Sequence, residues 1–183
     1  MRHTFTLLLA LGLMSGCAYF SNDPSLRTPG TIIDDNGIEN LVEREIRRSS
    51  PDYKGAHIVI VAYNGVVVLA GQVGSETLRE QAAKIAQDVK RVRKVHNELT
   101  VGGPTSVLAR TNDAWITTKV KSRLLANKEA VGRKIKVQTE NGVVYLLGLI
   151  TRQQAEDAVA VASDVYGVQK IVKVFEYLGE ETG

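Results

Sequence analysis

The stretch His57-Ile-Val-Ile-Val-Ala-Tyr63-Asn64-Gly65-Val66-Val67-Val68-Leu69-Ala70-Gly71-Gln72-Val73 decides the fold. Two runs rich in β-branched residues flank Asn-Gly, a dipeptide that accepts the positive φ angles of a type I′ hairpin turn. The spacing predicts strands over 57–63 and 66–73. Both runs are apolar on both faces, whereas a sheet covered on one side only should alternate apolar and polar residues. Each face of this hairpin therefore needs a covering layer. A charge at one of its valines, such as Val67, is expected to be costly.

Working outward, the hairpin returns later in the chain. Asn64-Gly65 recurs as Asn141-Gly142, and Leu69-Ala-Gly71-Gln-Val73 as Leu146-Leu-Gly148-Leu-Ile150, both at a shift of 77. Ile58 and Ile60 match Ile135 and Val137. Ile38, Val42 and Ile46 match Ile116, Val120 and Leu124 at a shift of 78, and Val92-Arg-Lys-Val95 matches Val168-Gln-Lys-Ile171 at 76. A repeat of this kind is two copies of one supersecondary unit. Each copy reads helix, strand, strand, helix, strand. In the second copy the helices are expected near 112–126 and 152–165, with strands near 135–140, 143–150 and 168–177. Thr151-Arg-Gln-Gln154 is a capping-box pattern that starts the later helix. The expected fold is α+β. Each unit is a three-stranded mixed sheet with two helices on one face, and its first strand sits antiparallel at the centre. The second unit is the simplest cover for the exposed sheet face of the first.

The chain has 183 residues, 44% hydrophobic and 23% charged, which suits two small domains. Residues 1–16 read as a signal peptide: Arg2 precedes the apolar run Phe5–Met14, too short to span a bilayer. Cys17 is the chain's one cysteine and ends Leu13-Met14-Ser15-Gly16-Cys17. That stretch resembles the bacterial lipobox, and the resemblance implies that Cys17 is lipidated. Ala18 follows where an Asp would imply inner-membrane retention, so the outer membrane is expected. Residues 17–33 read as the lipidated N-terminus and a Pro- and Gly-containing tether. Residues 34–103 and 104–183 are the two units, joined through the break Gly102-Gly-Pro-Thr-Ser106.

The repeated unit, with Gly71 and Gly148 late in its second strand, resembles the BON domain. Two such units behind a lipobox resemble the dual-BON outer-membrane lipoproteins. The run Asn112-Asp-Ala-Trp115-Ile-Thr-Thr-Lys119-Val-Lys121-Ser122-Arg123-Leu-Leu125 and the stretch Thr139-Glu-Asn-Gly142 are similar to that group's second BON domain. The resemblance implies a periplasm-facing, lipid-anchored, non-enzymatic protein without cofactor. It implies binding of anionic phospholipids such as phosphatidylglycerol and cardiolipin, location at the division site, and support of envelope integrity and septal cell-wall splitting. It places the lipid contact on the first helix of the second unit, around Trp115. Envelope or division proteins are candidate partners.

Charge supports the same place. Residues 34–103 hold ten basic and ten acidic residues, whereas 104–178 hold eleven basic against seven acidic. Within 114–136, Lys119, Lys121, Arg123, Lys128, Arg133, Lys134 and Lys136 face Glu129 alone. At about 100° per residue, Ile116, Val120 and Leu124 form the inward stripe and Trp115 lies well off it. The repeat-one counterpart of Trp115 is Gly37, so the fold does not require the ring. The outward face carries Trp115, Thr118, Ser122 and Leu125, flanked by Lys119 and Lys121, with Arg123 nearby. Trp beside lysines is how a surface helix meets headgroups. The alternative is that Trp115 packs on a loop or on the other unit, the lysines are solvated, and the protein is an interaction adaptor.

Other chemistry is thin. Three histidines and one cysteine leave little material for a metal site. No phosphate loop, nucleophile elbow or metalloprotease motif is present. His57 and His96 read as structural, and Asp34-Asp35 and Glu156-Asp157 as solvated or helix-start acids. A KH-like nucleic-acid reader shares the element mix, but an exported chain does not meet nucleic acid.

Overall fold

The computed structural model describes residues 26–103, 106–127 and 129–179, so the segment read as a signal peptide and Cys17 lie outside the described residues. The first unit contains α1 (Pro29–Ser49), a 3-10 turn (Pro51–Gly55), β1 (His57–Tyr63), β2 (Val66–Val73), α2 (Glu76–Asp88) and β3 (Lys94–Val101). The second contains α3 (Val107–Asn127), a single turn α4 (Glu129–Gly132), β4 (Ile135–Glu140), β5 (Val143–Ile150), α5 (Arg152–Ser163) and β6 (Lys170–Tyr177). Among the described residues no helix is long and apolar enough to cross a membrane.

Both first helices start earlier than expected. α1 reaches back to Pro29, inside the stretch read as tether, because proline at the first helical position has no N–H to waste. The Thr28 hydroxyl caps it, accepting the Thr31 N–H at 3.1 Å. α3 begins at Val107, ahead of the expected start near 112. The capping box at Thr151 and Gln154 forms as expected, with both reciprocal hydrogen bonds made.

The turns are left-handed at both residues, Asn64 at φ 50° and Gly65 at 74°, Asn141 at 52° and Gly142 at 75°. Registers follow from them: Tyr63 pairs with Val66, and Glu140 with Val143. The strand order corrects the sequence expectation. β2, not β1, is the centre of the first sheet, and β5 the centre of the second. β1 joins β2 antiparallel and β3 joins it parallel. The reason is physical: a helical crossover from β2 returns directly beside it, and β2 is buried along its whole length. Gly71 has φ 111°, and a Cβ there would lie 2.0 Å from the His57 carbonyl oxygen, so the close approach of β1 needs a bare backbone.

Among the described residues three apolar clusters result. One lies between the helices and sheet of the first unit, around Val42, Ile46, Val67 and Leu69. Another repeats it in the second, around Ile116, Val120, Leu124 and Leu146. The third lies between the two sheets and joins Val61, Tyr63, Val66, Val68 and Ala70 to Tyr145, Leu147 and Val174. The two-faced apolar hairpin is thus explained by a helix, sheet, sheet, helix stack. Val67 faces the helices, so its neighbours Val66 and Val68 are the interface valines. Polar contacts rim the seam. Lys136 Nζ donates to Glu39 at 2.6 Å and to the Ala62 carbonyl at 3.2 Å, and Tyr63 donates to the Lys134 carbonyl at 2.8 Å. His57 meets Glu140 at 3.1 Å, and Arg93 meets Glu176 at 2.6 Å.

Candidate membrane-contact site

α3 supplies the candidate surface, and one buried carboxylate sets its rotation. Asp113 is 4% exposed and sits on the inward side of the helix. It accepts the N–H groups of Asn141 at 2.7 Å and Gly142 at 2.9 Å. Asp35 does the same for Asn64 and Gly65 at 2.9 and 3.0 Å, and it also accepts from Arg27. Asp35 is therefore no solvated helix-start acid, contrary to what its sequence position suggests: it is buried and fully engaged. Each unit fixes its first helix to its hairpin turn by a charge-assisted pair of hydrogen bonds. With Asp113 turned inward, Trp115 two residues later points outward.

Trp115 is 44% exposed and Leu125 45%. Lys119 Nζ lies 5.7 Å from the centre of the Trp115 ring, a cation–π distance. Thr118 turns its hydroxyl back to the Ala114 carbonyl at 2.9 Å, and Ser122 and Lys121 are exposed on the same helix. Arg123 donates to the Asp164 carbonyl at 2.8 Å, which ties α3 to the end of α5. The basic cluster is smaller than the sequence expects. Lys134 is buried, Lys136 turns into the seam between the units, and Lys128 lies outside the described residues.

Sequence reasoning missed three exposed side chains. Val107 and Leu108 open α3 at 70% and 80% exposure, and Tyr166 in the loop after α5 is 89% exposed. Leu108 precedes Trp115 by two helical turns and shares its face. That spacing was visible in the sequence, but only to a reading that began the helix at Val107. Tyr166 lies in the loop whose Asp164 carbonyl holds Arg123, so tertiary packing alone brings it beside α3. An apolar ridge with basic neighbours results, along a helix otherwise seated by its core stripe.

His57 is engaged with Glu140 across the seam. Burial and the Lys94 ammonium hold His96 below the ordinary imidazole range. Among the described residues no group of His, Cys, Asp and Glu side chains has the arrangement of a metal site.

The BON domain pattern matches residues 34–103 and 112–179. The chain belongs to the BON domain family. Its two BON units are the two repeats described above. The chain is 39% identical over 161 residues to the outer membrane lipoprotein DolP of Haemophilus influenzae, covering 88% of this chain and 82% of that protein. It is 39% identical over 152 residues to the 21 kDa hemolysin of Actinobacillus pleuropneumoniae, covering 83% and 78%. It is 29% identical over 181 residues to the osmotically-inducible protein Y of Escherichia coli, covering 90% of each. The α+β architecture of paired three-stranded sheets is that of two BON units.

Proposed function

We propose that this protein is an outer-membrane lipoprotein, anchored through Cys17 and facing the periplasm, whose second BON unit binds anionic phospholipid through α3. The reading is non-enzymatic. Support comes chiefly from one observation: Trp115 stands exposed, with Lys119 over its ring, on a helix whose rotation Asp113 fixes. The 39% identity to an outer membrane lipoprotein supports the anchor and its location. In this reading Trp115, Leu108 and Leu125 enter the headgroup boundary. Lys119 and Lys121 meet phosphates, each basic residue adding about 1 kcal/mol near an anionic surface. Arg123 braces the helix against α5, and Thr118 and Ser122 line the contact. Phosphatidylglycerol and cardiolipin are the expected lipids, and the contact would serve envelope integrity and cell division.

The test is flotation of residues 18–183 with vesicles containing cardiolipin. Trp115→Glu should lose most of the binding while keeping its circular dichroism and melting temperature. A folded variant that floats as well as the parent would hand the function to the adaptor reading. Cys17→Ala in cells should abolish palmitate labelling of the chain, and unchanged labelling would refute the anchor.

A further inference from the structure

Among the described residues, β6 pairs with β5 on one side only. A strand edge of this kind presents a row of N–H and C=O groups to whatever approaches. Two cavities flank it. One, of about 360 Å³, lies on the helix side, lined by Arg152, Ala155, Val159, Lys173 and Tyr177. The other, of about 680 Å³, lies on the side of the first unit, lined by Val66, Arg93, Lys94, His96, Lys173 and Tyr177. Lys173 and Tyr177 border both, so the two cavities meet around the edge.

An added strand sends alternate side chains to opposite faces. It would therefore place every second side chain in one cavity and the rest in the other, while its backbone pairs with β6. The larger cavity holds Arg93, Lys94 and His96, with Glu176 already engaged by Arg93 at 2.6 Å. Its surplus is positive and fits Asp or Glu. The smaller one offers Ala155, Val159 and the Tyr177 ring, over which the Arg152 guanidinium stacks at 4.8 Å, and its remaining charges, Lys173 and Glu156, are of opposite sign. It fits an apolar side chain.

We propose that the open edge of β6 docks an extended segment of a partner protein in which acidic and apolar residues alternate, adding a fourth strand to the second sheet. The repeat supplies an internal comparison. At a shift of 76, Lys173 corresponds to Asn97, Tyr177 to Val101 and Arg152 to Glu76. Asn97 donates to the Arg79 carbonyl at 2.9 Å, occupying the helix side of β3. The fold thus does not call for Lys173, Tyr177 and Arg152 at these places. The site is separate from the lipid contact on α3 and does not rest on it.

The test uses residues 18–183 and labelled peptides of about eight residues, the length of β6. One alternates Glu and Val, one has the same composition in two blocks, one alternates Lys and Val, and one alternates with a central proline. Fluorescence anisotropy should show the first binding roughly tenfold tighter than the other three. Lys94→Glu and Lys173→Glu should each weaken it by a similar factor, with unchanged melting temperature. Amide exchange should slow along β6, and the His96 titration midpoint should rise as a carboxylate enters beside Lys94 and Glu98. Trp115→Glu should leave peptide affinity unchanged. Equal binding of the block peptide, indifference to both lysine reversals, or amide protection elsewhere than β6 would each overturn the proposal. In that outcome the lysines only guard the edge against self-association.

Discussion

At the scale of single residues, the carboxylates under the hairpin turns govern most. Asp113→Ala leaves the buried Gly142 N–H without a partner. The loss of two hydrogen bonds to a charged acceptor should cost about 2–4 kcal/mol, read as a lower urea midpoint. Asp113→Asn keeps one acceptor oxygen and should cost less. An alanine variant as stable as the parent would remove the role given to this residue. A second expectation concerns Tyr145 in the seam. Burial, reinforced by Glu98 and Glu140, pushes its phenol up to about 12. The folded state holds that proton more tightly than the unfolded chain, whose tyrosines titrate near ~10. The stability it contributes is complete below pH ~10 and is lost as pH rises through about 12. Tyr145→Phe should flatten that alkaline loss and change little at neutral pH, measured by urea midpoints across the range. The aspartates were legible in principle. Asp35 and Asp113 repeat at the shift of the helix stripe, three residues before Ile38 and Ile116. Acids near a helix start usually face water, and that habit hid them.

At the scale of elements, α3 separates what folds the unit from what it shows to the outside. Leu108→Glu should weaken vesicle binding and leave the melting temperature unchanged, because the side chain is 80% exposed. Ile116→Glu should unfold the second unit, because Ile116 is fully buried. If Leu108→Glu floats with cardiolipin vesicles as the parent does, the contact is confined to the middle of the helix. The elements themselves were legible from the sequence. Asn-Gly and the runs around it fix β4 and β5 to the residue, and the core stripes mark both first helices. Strand order was not. Apolar pattern shows which strand is buried but not which neighbour it takes, and the crossover decided in favour of β2. The helix starts were missed because Pro29 and the polar residues from Arg110 to Asn112 look like breaks. The exposed Trp115 is legible from comparing the repeats and Lys119 from the charge and the helix geometry, whereas Tyr166 reaches the site only through the fold.

At the scale of the molecule, the seam between the sheets makes one body of two units. Val68 is fully buried there. Val68→Glu should destabilise the protein by several kcal/mol, since an unpaired carboxylate must be desolvated or protonated. Thermal unfolding would show this, and an unchanged transition would mean that the seam is open in solution. The same seam has a further result. With both sheets turned inward, α1 and α3 look out from opposite sides, and only α3 carries an aromatic ring, Gly37 standing at the other place. On the proposed lipid reading, and although α1 also exposes Ile33, the particle carries an aromatic, lysine-flanked grip on one side. It should coat a vesicle without gluing vesicles together, so turbidity should stay flat when residues 18–183 are added to cardiolipin liposomes. Gly37→Trp, at a position where a new side chain meets open space, should supply the missing grip and turn a monovalent coat into a bridge that makes the suspension cloud.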